Sequence, residues 1–170
     1  KDVNDKYKLY PIPQDEFTTN PYLTQNPDYQ KFVAENSWWL SDYALFMAVK
    51  DQFGGVEWTK WAEDIRLRWQ NALDYYRKEL YFEIEFQEYM QFKFRQQWMK
   101  LKAYANRRGI RIIGDIPIYV ALDSADVWAN TDQFQLSGSL APAVVAGCPP
   151  DMFSSYGQKW GNPIYDWDVM

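Results

Sequence analysis

Apolar residues along this chain recur first at helical and then at strand-like spacing, and the switch falls near Gly109. Asn26-Pro27-Asp28 reads as a helix start, with Asn26 as N-cap, Pro27 in the first turn and an acid beside it. The residues before it, with Pro11, Pro13 and Pro21, read as an extended connection. The pattern predicts a first helix to about Asn36. Ser41 or Asp42 then caps a second, in which Tyr43, Phe46, Met47 and Lys50 keep helical spacing before Gly54-Gly55 closes it. From Trp58 to about Leu80, residues such as Trp61, Ile65, Trp69, Ala72, Leu73 and Tyr76 step at a period near 3.6, as one bent helix or two short ones.

The longest predicted element runs from about Glu83 to Arg107. Phe86, Met90, Phe94, Trp98, Leu101 and Ala105 form one apolar stripe, while Ile84, Phe92 and Met99 lie off it. A helix apolar on more than one side is covered by more than one layer, here a sheet on one side and the preceding helices on the other. Gly109 ends it as a left-handed cap, helped by Arg107 and Arg108 near the carbonyl-rich end. The β-branched run Ile110, Ile112 and Ile113 then predicts a buried strand, Ile110–Val120, that breaks at Gly114 and delivers Asp115 before Pro117. Helix, glycine turn and strand make an αβ unit, and the right-handed βαβ rule calls for another parallel strand. None of that quality occurs upstream.

The fold class expected is therefore α/β: part of a (β/α)8 barrel with a helical insertion, the barrel incomplete in this chain. A full barrel takes about 200–250 residues or more, and this chain has 170. Lys1 at the start and YDWDVM at the end read as an excerpt from a longer polypeptide. Residues 1–80 are expected to form the helical insertion, and residues 81–170 the barrel helix, the barrel strand and a loop covering substrate. Past Val120, Asp123 is expected to N-cap a short helix through Trp128, with Asp126 in its first turn. Gln133 to Val145 suggest a small hairpin around Ser137-Gly138. AGCPPDMFSSYGQKWGNP then reads as a long loop, and long loops in compact proteins are usually functional.

Composition narrows the chemistry. Eighteen Lys and Arg stand against 23 Asp and Glu, with no basic patch, which argues against a nucleic-acid surface. No apolar run approaches the roughly 20 residues of a membrane span, and no secretory leader is visible. One cysteine, Cys148, excludes an internal disulfide framework and fits a cytoplasmic protein. The absence of histidine removes every His-based triad and the commonest metal ligand. Aromatics make up 19% of residues, nine of them Trp, a surplus suited to stacking on sugar-ring faces.

The phrases NSWWLSDYALFMAVKDQFGG, LKAYANRRGI, IIGDIPIYVA, DSADVWA, VAGCPPD, GQ-WGNP and YDW resemble those of 4-α-glucanotransferases of the amylomaltase (disproportionating enzyme) type. The resemblance runs from about Asp28 to Trp167. It implies a (β/α)8 barrel with helical insertions, no metal or organic cofactor, and transfer of α-1,4-glucan segments between maltooligosaccharides with retention. Retaining chemistry needs a carboxylate nucleophile and a second carboxyl as acid and base, about 5–5.5 Å apart. In the family those groups sit in phrases of the type RIDHFRG and AEDLG, which do not occur here. No catalytic residue is therefore assigned in this chain. It is expected to be inactive alone, its groove completed by the remainder of the same polypeptide.

Residues matching the family's substrate contacts are Asp115, Phe153, Ser154, Gln158, Trp160 and Asn162. Asp115 is a strand-end carboxylate of the kind that lines a barrel's active face. Phe153 and Ser154 follow the stiff Pro149-Pro150-Asp151, where Met152 stands in place of the family's usual aromatic. Gln158 offers paired donor and acceptor groups and Trp160 a broad ring face. Asn162, before a proline, also reads as a turn residue. Asp123, Asp126 and Asp151 read as caps and anchors, and Trp38, Trp39, Trp58, Trp61, Trp69 and Trp98 as core. Two rival readings are a non-catalytic glucan-binding domain and an α-glucan hydrolase.

Overall fold

The computed structural model describes residues 23–170, so most of the expected N-terminal connection lies outside the described residues. The first element is a single helix, α1 (Pro27–Gln52). Asn26 caps it as expected, its Oδ1 accepting from the Asp28 amide at 2.8 Å. Gly54 and Gly55 close it with φ of 67° and 81°, and the Gly55 amide donates back to the Lys50 carbonyl at 2.8 Å. Two helices were expected here, but no break occurs near Asn36. The polar residues there bond onto their own helix, Asn36 Nδ2 to the Phe32 carbonyl at 2.7 Å and Ser37 Oγ to the Ala34 carbonyl at 3.2 Å.

The stretch from Trp58 to Leu80 divides into a 3₁₀ turn, Trp58–Lys60, and two helices, α2 (Glu63–Arg66) and α3 (Gln70–Glu79). Arg68 makes the corner between them with φ 56°, an uncommon value for a side chain with a Cβ. Tertiary contacts hold it there. Its Nη2 donates to Asp42 Oδ1 at 2.7 Å, and its guanidinium lies 4.3 Å from the Trp128 ring centroid.

The long helix α4 (Tyr81–Asn106) packs against α1. Tyr29, Phe32 and Leu40 of α1 meet Tyr89 and Phe92 of α4 in an aromatic cluster. Tyr29 Oη donates to Glu88 Oε2 at 3.2 Å at the edge of this cluster. Burial pushes the Glu88 and Glu85 carboxyls above their usual range, and burial with these neighbouring carboxylates keeps the Tyr29 hydroxyl protonated. The helix face that packs matches the expected stripe at Phe86 and Ala105 and departs from it elsewhere. Phe92 is buried, whereas Phe94, Trp98 and Leu101 are exposed, because only the helical layer is present to cover α4. Trp69 and especially Trp38, 82% exposed, also depart from the expected core role.

The principal core joins Leu45, Phe46 and Val49 of α1 to Trp58, Trp61 and Ile65, and to Trp128 and Phe134 downstream. It thus draws on residues from both sides of position 80. Trp128 lies on α5 (Ala125–Ala129). Its Nε1 donates to the Ile65 carbonyl at 3.1 Å. Ser124, not Asp123, caps α5, with Oγ accepting from the Val127 amide at 3.3 Å. Asp123 is instead taken by an ion pair with Lys50 and by the Trp58 amide at 3.3 Å.

Gly109 terminates α4 with φ 75°, as the sequence predicts. The segment after it, residues 110–118, corrects the expectation of a buried strand. It pairs with no strand among the described residues, and Ile113 and Ile116 are 93% and 87% exposed. The physical reason is that a lone extended segment has no ladder partner to satisfy its amides and no layer to cover its side chains.

Candidate functional site

The loop expected over residues 146–163 is instead largely an antiparallel hairpin. β1 (Val145–Cys148) pairs with β2 (Gln158–Pro163), with Cys148 opposite Gln158 and an irregularity between Val145 and Gly147. The glycines make the pairing possible. A Cβ on Gly147 would collide with the Gln158 carbonyl oxygen, and one on Gly157 would lie 2.5 Å from the Cys148 carbonyl oxygen. Gly157 also has φ 70°, which favours glycine.

Residues 149–157 form the tip. Pro149 and Pro150 have no amide hydrogen and end the ladder. Asp151 Oδ1 accepts from the Phe153 and Ser154 amides, both at 2.8 Å, so it anchors the turn as expected. Ser154 Oγ donates to the Gly157 carbonyl at 2.7 Å and fastens the loop to itself. With the backbone held in this way, Met152, Phe153 and Tyr156 project outward, Phe153 at 88% and Tyr156 at 96% exposure. Three large apolar side chains on a loop with internally bonded backbone form a surface suited to a flat ligand.

Trp160 lies on β2, half exposed, with Nε1 donating to Gln158 Oε1 at 2.9 Å. Gln158 thereby orients the indole and keeps its own amide hydrogens for another acceptor. Asn162 is half-buried. Its Nδ2 donates to the Val120 carbonyl at 2.9 Å, tying β2 to the end of the segment that carries Asp115. Asp115 is exposed and has no side-chain hydrogen bond or ion pair among the described residues.

The structure therefore gathers Phe153, Ser154, Gln158, Trp160 and Asn162 on one hairpin and places Asp115 five residues before that hairpin's tether at Val120. It also sets beside them aromatic residues that the sequence reading passed over. Tyr119 stacks on Tyr165 at 6.3 Å between centroids, and Trp167 lies 5.3 Å from Tyr165. Tyr165 and Trp167 belong to the YDW phrase and Tyr119 to IIGDIPIYVA, and Tyr165 pairs with Phe134 of the principal core two residues past the end of β2. Tyr156 was also overlooked, although it stands in the same loop as Phe153. Among the described residues, no group of three or more Asp, Glu or Cys side chains is placed to hold a metal ion, and no helix is long and apolar enough to cross a membrane.

Comparison with known proteins agrees with these phrases and this fold. The family model described as 4-alpha-glucanotransferase matches residues 4–170. The 4-alpha-glucanotransferase of Clostridium butyricum is 49% identical over 143 residues, covering 84% of this chain and 29% of that protein. That of Thermus thermophilus is 50% identical over 139 residues, covering 82% of this chain and 28% of that protein. Among solved structures, the amylomaltase from Streptococcus agalactiae in complex with acarbose superposes with a TM-score of 0.81 at 42% identity, over 91% of this chain and 31% of that one. The chain thus spans less than a third of the length of these relatives. Its phrases, its fold and these matches together make it a member of the 4-alpha-glucanotransferase family.

Proposed function

We propose that this protein is a 4-α-glucanotransferase that moves α-1,4-glucan segments between maltooligosaccharides with retention. The chain supplies residues 1–80 as the helical insertion and residues 81–170 as the helix, strand and substrate-covering loop of a (β/α)8 barrel that the rest of the polypeptide completes. The observation that carries this reading is the hairpin: Phe153 and Trp160 face outward on it, and Asn162 ties it to the segment bearing Asp115. A ring face, an indole and a carboxylate on the segment tethered to the hairpin suit a glucan strand, whose sugars present apolar faces and hydroxyl edges in alternation. Residues 110–118 are read as a barrel strand whose neighbours lie elsewhere in the polypeptide. Their exposed isoleucines would each gain on the order of 1.5–3 kcal/mol on full burial there.

In the proposed reaction a carboxylate outside this chain attacks the anomeric carbon while a second carboxyl protonates the leaving oxygen. The acceptor hydroxyl, giving its proton to that second carboxyl, then attacks the anomeric carbon from the face the leaving oxygen vacated and expels the first carboxylate, restoring the original configuration. Within this chain, the roles are binding ones. Asp115 accepts hydrogen bonds from sugar hydroxyls, Phe153 and Trp160 cover ring faces, and the Gln158 amide donates to a hydroxyl. Ser154 and Asn162 hold the loop in the shape that permits this. No cofactor is required by these steps, and a lone thiol suits a reducing compartment such as the cytoplasm.

Incubating the intact protein with maltotriose tests the reading. Transfer yields oligosaccharides longer than the substrate; products that are only shorter would assign a hydrolase. Binding of maltoheptaose without turnover would leave a non-catalytic glucan-binding role. The isolated chain is expected to show no turnover, and sustained activity would overturn the placement of the carboxylate pair.

A further inference from the structure

A cavity of about 370 Å3 lies between the middle of α1 and the segment from Ala125 to Gln133, and it shares no lining residue with the hairpin. The volume falls within the range of about 300–1,000 Å3 typical of small-molecule sites. One wall is aromatic. Trp38 projects with 82% of its surface exposed, and Trp39 and Tyr43 stand beside it with ring centroids 6.0 Å apart. Trp39 is half-buried against the aromatic cluster of α1 and α4 and donates to Asn36 Oδ1 at 3.3 Å, whereas the exposed indole of Trp38 makes no hydrogen bond or ring contact among the described residues.

The polar groups of this cavity are held in place from behind. Arg68 Nη2 fixes Asp42 at 2.7 Å, and Gln91 Nε2 donates to Tyr43 Oη at 3.1 Å. Asn130 Nδ2 donates to the Asp126 carbonyl at 3.1 Å. The Asp126 carboxylate and the Gln133 amide also line the cavity, and neither side chain has a hydrogen bond to any described residue. The corner that aims Arg68 at Asp42 is built with φ 56°, a conformation that surrounding contacts must hold.

This set of groups selects a ligand class. Two carboxylates, one balanced by Arg68, disfavour an anion. A purely apolar ligand would leave Asp126 and Gln133 desolvated without partners. A neutral ring with an apolar face and many hydroxyls satisfies both the indoles and the acceptors. We propose that this cavity is an accessory saccharide site, which takes a short stretch of α-glucan away from the hairpin. The choice of α-glucan over other sugars rests on the proposed transferase activity, whereas the site itself rests on the cavity. Such a site would hold a long chain to the protein while one end is processed, raising the local concentration of chain ends.

The test uses the intact protein labelled with fluorotryptophan and titrated with maltoheptaose to about 10 mM, where a site with Kd of about 1 mM is nine-tenths filled. The resonances of Trp38 and Trp39 are expected to move saturably. Trp38→Ala and, separately, Gln133→Ala are expected to weaken the titration seen at Trp39 by about five- to tenfold. An unchanged thermal unfolding curve of the Trp38→Ala protein verifies that the fold is kept. If Trp160 responds and Trp38 and Trp39 do not, the accessory site is refuted and the transferase reading is untouched. If Trp38 and Trp39 respond and Trp160 does not, the accessory site stands and the role given to the hairpin fails. Silence at all three refutes both.

Discussion

Replacing Asn162 by alanine removes the one side-chain bond, among the described residues, between the hairpin and the segment that carries Asp115. The bond is 2.9 Å long and joins residues 42 apart in sequence. Its loss leaves the carbonyl of half-buried Val120, next in sequence to the Tyr119 that stacks on Tyr165, without its donor. An acceptor left without its donor costs about 1–3 kcal/mol; with Val120 only half buried, about 1–2 kcal/mol is expected here. For a domain of 150–250 residues, each kcal/mol corresponds to about 2–4 °C in Tm, so a drop of about 2–8 °C follows. Asn162→Asp keeps the shape but points a carboxylate at the carbonyl, so it should be at least as damaging. Thermal unfolding by circular dichroism reads both variants, and in the intact protein maltotriose kinetics should show KM rising more than kcat falls, because the loop is displaced while the reacting groups are not. If Asn162→Asp matches the parent in both Tm and KM, Asn162 does not tether the loop and the reasoning fails.

Trp160→Ala should raise KM for maltooligosaccharides in the intact protein by about tenfold while shifting Tm by no more than a few degrees, since half the indole already faces solvent; unchanged kinetics would remove Trp160 from the site. Gly157→Ala should disrupt the hairpin, because its Cβ would sit 2.5 Å from the Cys148 carbonyl oxygen and φ is 70°. Amide exchange at Gln158 and Lys159 should accelerate by at least about tenfold, and unaltered protection would show that the strands pair without the glycine. Glu88→Gln tests the buried carboxyl. Its folded-state pKa lies above the usual 4.5, so the folded protein holds the proton more tightly and stability falls as pH rises through that window. The variant should therefore melt higher than the parent near neutral pH and lose that advantage below about pH 4.5; a difference independent of pH would contradict the burial of Glu88.

The features determined by the sequence alone are those governed by neighbours a few residues away. Asn26-Pro27-Asp28 caps α1, Gly54-Gly55 ends it and Gly109 ends α4, because caps and left-handed turns are properties of four or five consecutive residues. The extent of α4 was legible for the same reason, as was the family, since its phrases are continuous stretches of chain. Other features were decided only by the tertiary structure. The identity of the buried face of α4 depended on which layer is there to cover it, so Phe92 went inside and Trp98 did not. Asp123, a fair N-cap by its position, was drawn away by Lys50 and the Trp58 amide, partners 73 and 65 residues distant. The hairpin was hidden because Gly147 and Gly157 read as loop formers until their close approach to the facing strand is seen. Residues 110–118 have strand composition without a described partner, and hydrogen-bond pairing rather than composition makes a strand.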